Sequence, residues 1–184
     1  IGFAVASIFS DKIFEDFSFF PPLFFYGKHG TGKSCYANWI SALFGTHKCL
    51  LPFNSNSTAV AFQRTCEKWK NIPVIWNEFP ATPTNIGAVI GFFDGQKRVT
   101  AKFSNDYEVN NGRVNSTIIL ISTLGLSGQK KSEDLESRIA TLDSLKVTWN
   151  EIAFNWMQEH QDEFSCFVPF CLKKINPKGV IENI

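Results

Sequence analysis

The segment Leu23-Phe24-Phe25-Tyr26-Gly27-Lys28-His29-Gly30-Thr31-Gly32-Lys33-Ser34 decides how this chain is read. Its first four residues follow Pro21-Pro22 and form a continuous apolar run, the pattern of a short strand buried on both faces of a parallel sheet. The remainder matches the spacing Gly-x-x-x-x-Gly-Lys-Ser/Thr in full. Glycines at 27, 30 and 32 let the backbone curl so that successive N–H groups face inward. From Lys33 to about Phe44 the chain reads as a helix, with Cys35, Trp39 and Leu43 on one stripe, Tyr36, Ile40 and Phe44 beside it, and Gly45 closing it. A strand before and a helix after are the context in which this spacing holds nucleotide phosphates, because the N–H groups and the helix dipole both attract an anion. Gly27, Lys28, His29, Gly30, Thr31, Gly32, Lys33 and Ser34 are therefore the expected phosphate-binding residues, with ATP as ligand. Lys33 would bridge the β- and γ-phosphates, and the Ser34 hydroxyl would coordinate Mg²⁺. His29 fills a variable position and needs no catalytic role.

Working outward, Val74-Ile75-Trp76 reads as a second buried strand that ends in Asn77-Glu78. A phosphate-loop motor needs carboxylates one strand away, one for Mg²⁺ and one to orient the attacking water. Glu78 fits the second role and, with Ser34, the metal side of the site. Asn77 stands where an Asp is usual, so it can bind a metal-held water but brings no negative charge. Weak Mg²⁺ binding or slow hydrolysis is the expected consequence. The bland alternative is an exposed Glu at a strand end.

The other elements place these motifs. Residues 3 to 14 read as one helix with Phe3, Ala4 and Ile8 on a face. A strand is expected near Cys49-Leu50-Leu51. Ser57 or Thr58 caps a helix that carries Phe62, Cys66 and Trp69 on one side, and Asn85 to Phe93 is helical. Residues 98 to 109 alternate like a hairpin, Thr117 to Ile121 is another buried strand, and a helix covers roughly Trp149 to Glu163, with Trp149, Trp156 and Met157 as its packing face. Strands alternating with helices give an α/β fold with a mainly parallel sheet.

From Gly91 to Thr123 the chain resembles superfamily 3 helicases, the AAA+-like replicative motors of small DNA viruses, phages and mobile elements. Asp94-Gly95 precedes Lys97-Arg98, the hairpin holds Lys102, and the following strand runs into Ser122-Thr123. The resemblance extends from the leading helix through Arg138. It implies a P-loop NTPase fold of AAA+/ASCE type, a three-layer sandwich with an inserted β-hairpin. It implies that Lys97, Arg98 and Lys102 touch single-stranded DNA in the pore of a ring, hexameric in the family's pattern, with Phe103 or Tyr107 adding stacking. Thr123 stands where the family usually has a sensor Asn. Arg138, in Leu135-Glu136-Ser137-Arg138-Ile139, lies where it places an arginine finger that reaches a neighbouring subunit's γ-phosphate. A solvated hairpin, a plain strand end and a surface arginine are the ordinary readings of the same residues.

The expected organisation is a leading helix and linker over 1–22, an ATPase core over 23–148 and a C-terminal helical segment over 149–184, within a longer protein, since the chain starts without Met in apolar sequence. Net charge is +1, so any nucleic-acid partner needs a local basic patch. The five cysteines have no zinc-ligand spacing and fit a reduced, cytoplasmic setting. No apolar run is long enough to span a bilayer, and Lys173-Lys174 read as a solvated tail. Two functions from different classes follow: an ATP-driven helicase motor, or a nucleotide-dependent switch or scaffold that hydrolyses poorly, favoured by Asn77 and Thr123. A small-molecule kinase ranks behind both, because its lid would need clustered arginines.

Overall fold

In the computed structural model, which describes residues 1–46, 53–95, 114, 116–126, 132–143 and 150–174, the four-residue run Leu23–Tyr26 forms β1, the strand around which the rest is arranged. The element order is α1 Gly2–Ile8, α2 Ser10–Phe17, β1, α3 Lys33–Leu43, α4 Ala59–Lys68, β2 Pro73–Trp76, α5 Pro83–Phe93, β3 Thr117–Ser122, α6 Ser132–Glu136, β4 Ala140–Asp143 and α7 Glu151–Glu159. A 3₁₀ helix, Gln161–Cys166, and α8, Phe167–Lys174, complete it. All four strands run parallel in the order β2-β3-β1-β4. β1, which leads into the glycine-rich loop, and β2, which leads into Asn77-Glu78, are thus separated by β3.

The two-residue period of the strands divides the core. Phe24, Val74, Trp76, Ile118 and Leu120 point to one face, where Phe62 and Cys66 of α4, Ile86, Val89 and Phe92 of α5 and Leu135 of α6 meet them. Leu23, Phe25, Ile75, Ile119 and Ile121 point to the other, against Ala37, Tyr36 and Ile40 of α3 and Phe3 of α1. Trp76 and Phe62 are fully buried with ring centroids 4.5 Å apart. Truncating either to Ala removes about 3–5 kcal/mol of stability.

Local chemistry fixes the helix starts. Thr58, rather than Ser57, caps α4 by accepting from the Ala61 N–H, and Thr82 caps α5 through the Asn85 N–H with Pro83 at its first turn. The expected helix over residues 3–14 is two helices broken at Phe9, whose N–H bonds the Ala6 carbonyl in the tighter three-residue pattern. A distant residue holds the break: Asn71 Oδ1 accepts from the Ser10 hydroxyl and from the Asp11 N–H, the first donors of α2. The expected stripe of α3 is also adjusted. Its deepest residues are the small Ala37 and Ala42, both fully buried, while Tyr36, Ile40 and Leu43 are only partly covered.

Further differences lie in the second half. β4 has no long apolar run; it pairs with β1 at the sheet edge, and its first three residues are exposed. The expected helix through Glu163 ends at Glu159, and its face is not buried: Trp156 is 52% exposed, while Trp149 lies outside the described residues. Lys173-Lys174 close a helix rather than lying in a tail. The strand expected at Cys49–Leu51 and the hairpin with Lys97, Arg98, Lys102, Phe103 and Tyr107 fall outside the described residues. Phe53, just after the former, bridges Trp76 in parallel on the far side of β2.

Candidate functional site

A cavity of about 330 Å³ opens at the C-terminal ends of β1, β2 and β3, lined by His29–Cys35, by Asn77 and Glu78, and by Ile121–Thr123. Ligands in open α/β sheets bind at this end. Gly27, Gly30 and Gly32 all have positive φ, at 140°, 78° and 79°. A side chain would strain such a backbone, and the glycines allow the loop to turn tightly between β1 and α3. Gly32 is the N-cap of α3, and no side-chain oxygen caps that helix. Its first-turn residues Lys33, Ser34 and Cys35 all line the cavity, where the uncapped N–H end of α3 would attract an anion. That geometry fits a phosphate chain.

Lys33 is folded back under the loop. Its ammonium donates to the carbonyl of Gly27 at 2.6 Å and of Lys28 at 2.7 Å, and lies 3.4 Å from the Thr31 hydroxyl. Burial pushes its pKa below the ordinary lysine value, because no carboxylate offsets the loss of water. Gly27 and Lys28, expected as direct ligands, stand behind the cavity and hold Lys33 by their carbonyls. Thr31 donates to the Lys28 carbonyl at 2.8 Å, which stiffens the same turn.

Across the cavity, the Ser34 hydroxyl and Asn77 Oδ1 are 3.4 Å apart. Ser34, expected with Glu78 on the metal side, thus neighbours Asn77, expected only to bind a metal-held water, through a neutral amide oxygen. Hard cations prefer oxygen ligands, and this pair supplies two without charge. Glu78 has φ 52°, an uncommon conformation for a residue with a side chain. The neighbouring bonds enforce it: Asn77 N–H donates to the Phe53 carbonyl at 2.6 Å and Phe79 N–H to the Ile121 carbonyl at 2.7 Å. Glu78 is thus held between a bond to β3 and one to the chain beside β2. Its carboxylate accepts from the Ser55 hydroxyl at 3.4 Å.

Ser55 is the residue the motifs did not reveal. It lies 23 positions from Glu78, on a loop that Trp76 anchors by donating its indole N–H to the Asn54 carbonyl at 3.1 Å. Nothing in its local sequence marks it. Thr123, the expected sensor, is exposed at the cavity rim, and Ser122 beside it accepts from the Leu124 N–H. Arg138 is not part of the lining. Its guanidinium sits 5.9 Å above the centre of the Phe93 ring and donates to the Asp134 carbonyl at 3.2 Å. Beneath the loop, burial raises the Tyr26 hydroxyl pKa, and the Asp143 carboxylate that accepts its hydrogen bond raises it further. Among the described residues no helix is long and apolar enough to cross a membrane.

No family model and no curated protein matches the sequence. The fold is similar to a solved structure described as the active helicase Cch of SCCmec type IV, with a TM-score of 0.64 and 18% identity over 88% of this chain. The match spans 30% of that longer chain, so what is shared is the fold of one part of it.

Proposed function

We propose that this chain is the ATP-binding and ATP-hydrolysing motor domain of a ring-forming replicative helicase that acts on single-stranded DNA. The observation that carries the reading is the convergence, in one cavity, of an uncapped helix N-terminus with Lys33, a Ser34–Asn77 oxygen pair, and Glu78. These are the parts that phosphoryl transfer to water requires. The α3 N–H groups and Lys33 would hold the phosphates of ATP, and Ser34 with Asn77 would hold a largely hydrated Mg²⁺. Magnesium supplies charge neutralisation on the phosphate oxygens. Glu78 would take a proton from water as its oxygen bonds to the γ-phosphorus and the bridging P–O bond breaks, releasing ADP. The similarity to a protein described as an active helicase supports a nucleic acid as the track. Lys97, Arg98 and Lys102 remain the proposed DNA contacts, Thr123 the proposed sensor, and Arg138 the proposed finger in trans.

One observation favours the switch or scaffold reading: the metal-facing position opposite Ser34 is an amide, not a carboxylate. Steady-state ATP hydrolysis, with and without single-stranded DNA, separates the two. DNA-stimulated turnover that Lys33→Ala abolishes supports the motor. Tight ATP binding with no turnover at any protein concentration sinks it in favour of the switch. Asn77→Asp restores a charge beside Ser34 and is expected to raise turnover at limiting Mg²⁺; an unchanged or lower rate shows that Asn77 is not the weak point.

A further inference from the structure

Arg138 carries a charge that meets no counter-ion among the described residues: Glu133, Asp134 and Glu136 stand just before it, yet no carboxylate pairs with it there. Its hydrogen bond goes to an uncharged group, the Asp134 carbonyl, 3.2 Å from Nη1. Its other hold is the Phe93 ring, whose centre lies 5.9 Å from the guanidinium carbon. The electron-rich face of a ring attracts a cation without neutralising it. A guanidinium held in this way keeps its charge and its remaining N–H donors for an anion. Arg138 does not line the cavity at the strand ends of its own chain, so an anion that it meets comes from another molecule.

The ring that holds Arg138 is itself held on several sides. Phe93 is the last residue of α5, and Phe92 beside it is buried in the core. Phe19 stacks on Phe93 at 5.0 Å with the two rings 19° from parallel, and Phe17 stands edge-on to Phe19 at 6.3 Å. Backbone geometry fixes this row: Ser18 closes α2 at φ 64°, and the Phe20 N–H donates to the Phe93 carbonyl at 3.1 Å. On the arginine side, Leu135 is fully buried and anchors α6, and the Arg138 N–H donates to the Leu135 carbonyl at 2.9 Å. A long arginine side chain gives up rotamer freedom when it engages a ligand, and a support that orients it beforehand removes part of that cost. We infer that Phe93, backed by Phe19, is a positioning residue for Arg138: it sets the plane of the guanidinium so that its outer N–H groups meet a γ-phosphate bound by a second copy of this chain. The inference rests on the reading of Arg138 as a finger in trans.

Subunit mixing tests the finger and its support separately. Arg138→Ala keeps its own cavity but offers no finger, while Glu78→Gln offers a finger but lacks the base. Each alone should be nearly inactive, and their mixture should regain ATP turnover, because the Glu78→Gln chain lends Arg138 to its neighbour. Adding Phe93→Leu to the Glu78→Gln partner should lower the regained kcat roughly three- to thirtyfold at saturating partner, with KM for ATP unchanged. Adding Phe93→Tyr instead keeps an aromatic face and should regain as much turnover as Phe93 itself, with circular dichroism confirming that both variants fold. Equal turnover with Phe93→Leu, or an equal loss with Phe93→Tyr, overturns the role of Phe93. So does a loss that more partner restores, since that is a loss of association. If the first mixture stays inactive, the finger reading itself fails and the inference falls with it.

Discussion

At Glu78 two demands meet on one residue: its carboxylate is the proposed base, and its backbone is held left-handed at φ 52°. For a residue with a Cβ that conformation costs about 1–2 kcal/mol, while glycine adopts it freely. Glu78→Gly and Glu78→Ala should both abolish hydrolysis, yet the glycine variant should be the more stable by about 1 kcal/mol, reversing the usual order. Urea denaturation of the pair checks this, and an Ala variant at least as stable as Gly would show that the strain is not real. That Lys33, Ser34 and Glu78 share one cavity was legible, the first two from the spacing of the loop and Glu78 from its place at the end of an apolar strand. Ser55 was not legible, because its contact with Glu78 depends on a loop being pinned under Trp76, a tertiary event with no local signature. Thiols divide at the same scale. Burial pushes Cys66 up to about 12 and raises Cys171, while Cys166 is exposed and Cys35 lines the cavity at the strand ends. With iodoacetamide on the native protein, Cys166 should label fastest and Cys66 slowest among the four described cysteines, and ATP should slow Cys35 selectively. If ATP leaves Cys35 labelling unchanged, the nucleotide does not occupy this cavity.

Among the elements, the break between α1 and α2 shows how a residue far along the chain sets a helix start. Asn71 has φ 58°, accepts from Ser10 and from the Asp11 N–H, and donates to the Asp11 carboxylate at 3.2 Å. Asn71→Ala loses both the cap and the tolerance for positive φ, and should cost roughly 1–3 kcal/mol. Asn71→Gly loses only the cap and should fall between Ala and the native protein in thermal denaturation. The same corner carries a pH dependence. Burial pushes the Asp11 carboxyl up, but hydrogen bonds from Lys70, the Lys12 N–H and Asn71, with the Lys70 charge, outweigh it and leave its pKa below 3.8. A depressed carboxylate stabilises the fold above its unfolded pKa and loses that contribution as pH falls through the folded one. Asp11→Asn should therefore flatten the stability profile below about pH 3.8 and cost at most about 1 kcal/mol at neutral pH, since Lys70 is well exposed. An acid limb identical to the native one would remove Asp11 from the account. The periodicity of residues 3 to 14 gave no sign of the break at Phe9, because both helices keep an apolar face and only Asn71 distinguishes them.

For the whole molecule, apolar runs at 23–26, 74–76 and 117–121 were sufficient to specify a parallel α/β fold, and the glycine-lysine-serine loop put the proposed phosphate site at its strand ends. Those signals are local: a strand buried on both faces must be apolar throughout, and a loop that curls around an anion must carry glycine. The tertiary structure alone decided the strand order, the edge strand β4 and the approach of Ser55 to Glu78. Each depends on which surfaces meet after the chain has closed. Ala140–Asp143 becomes a strand because β1 offers it a free edge.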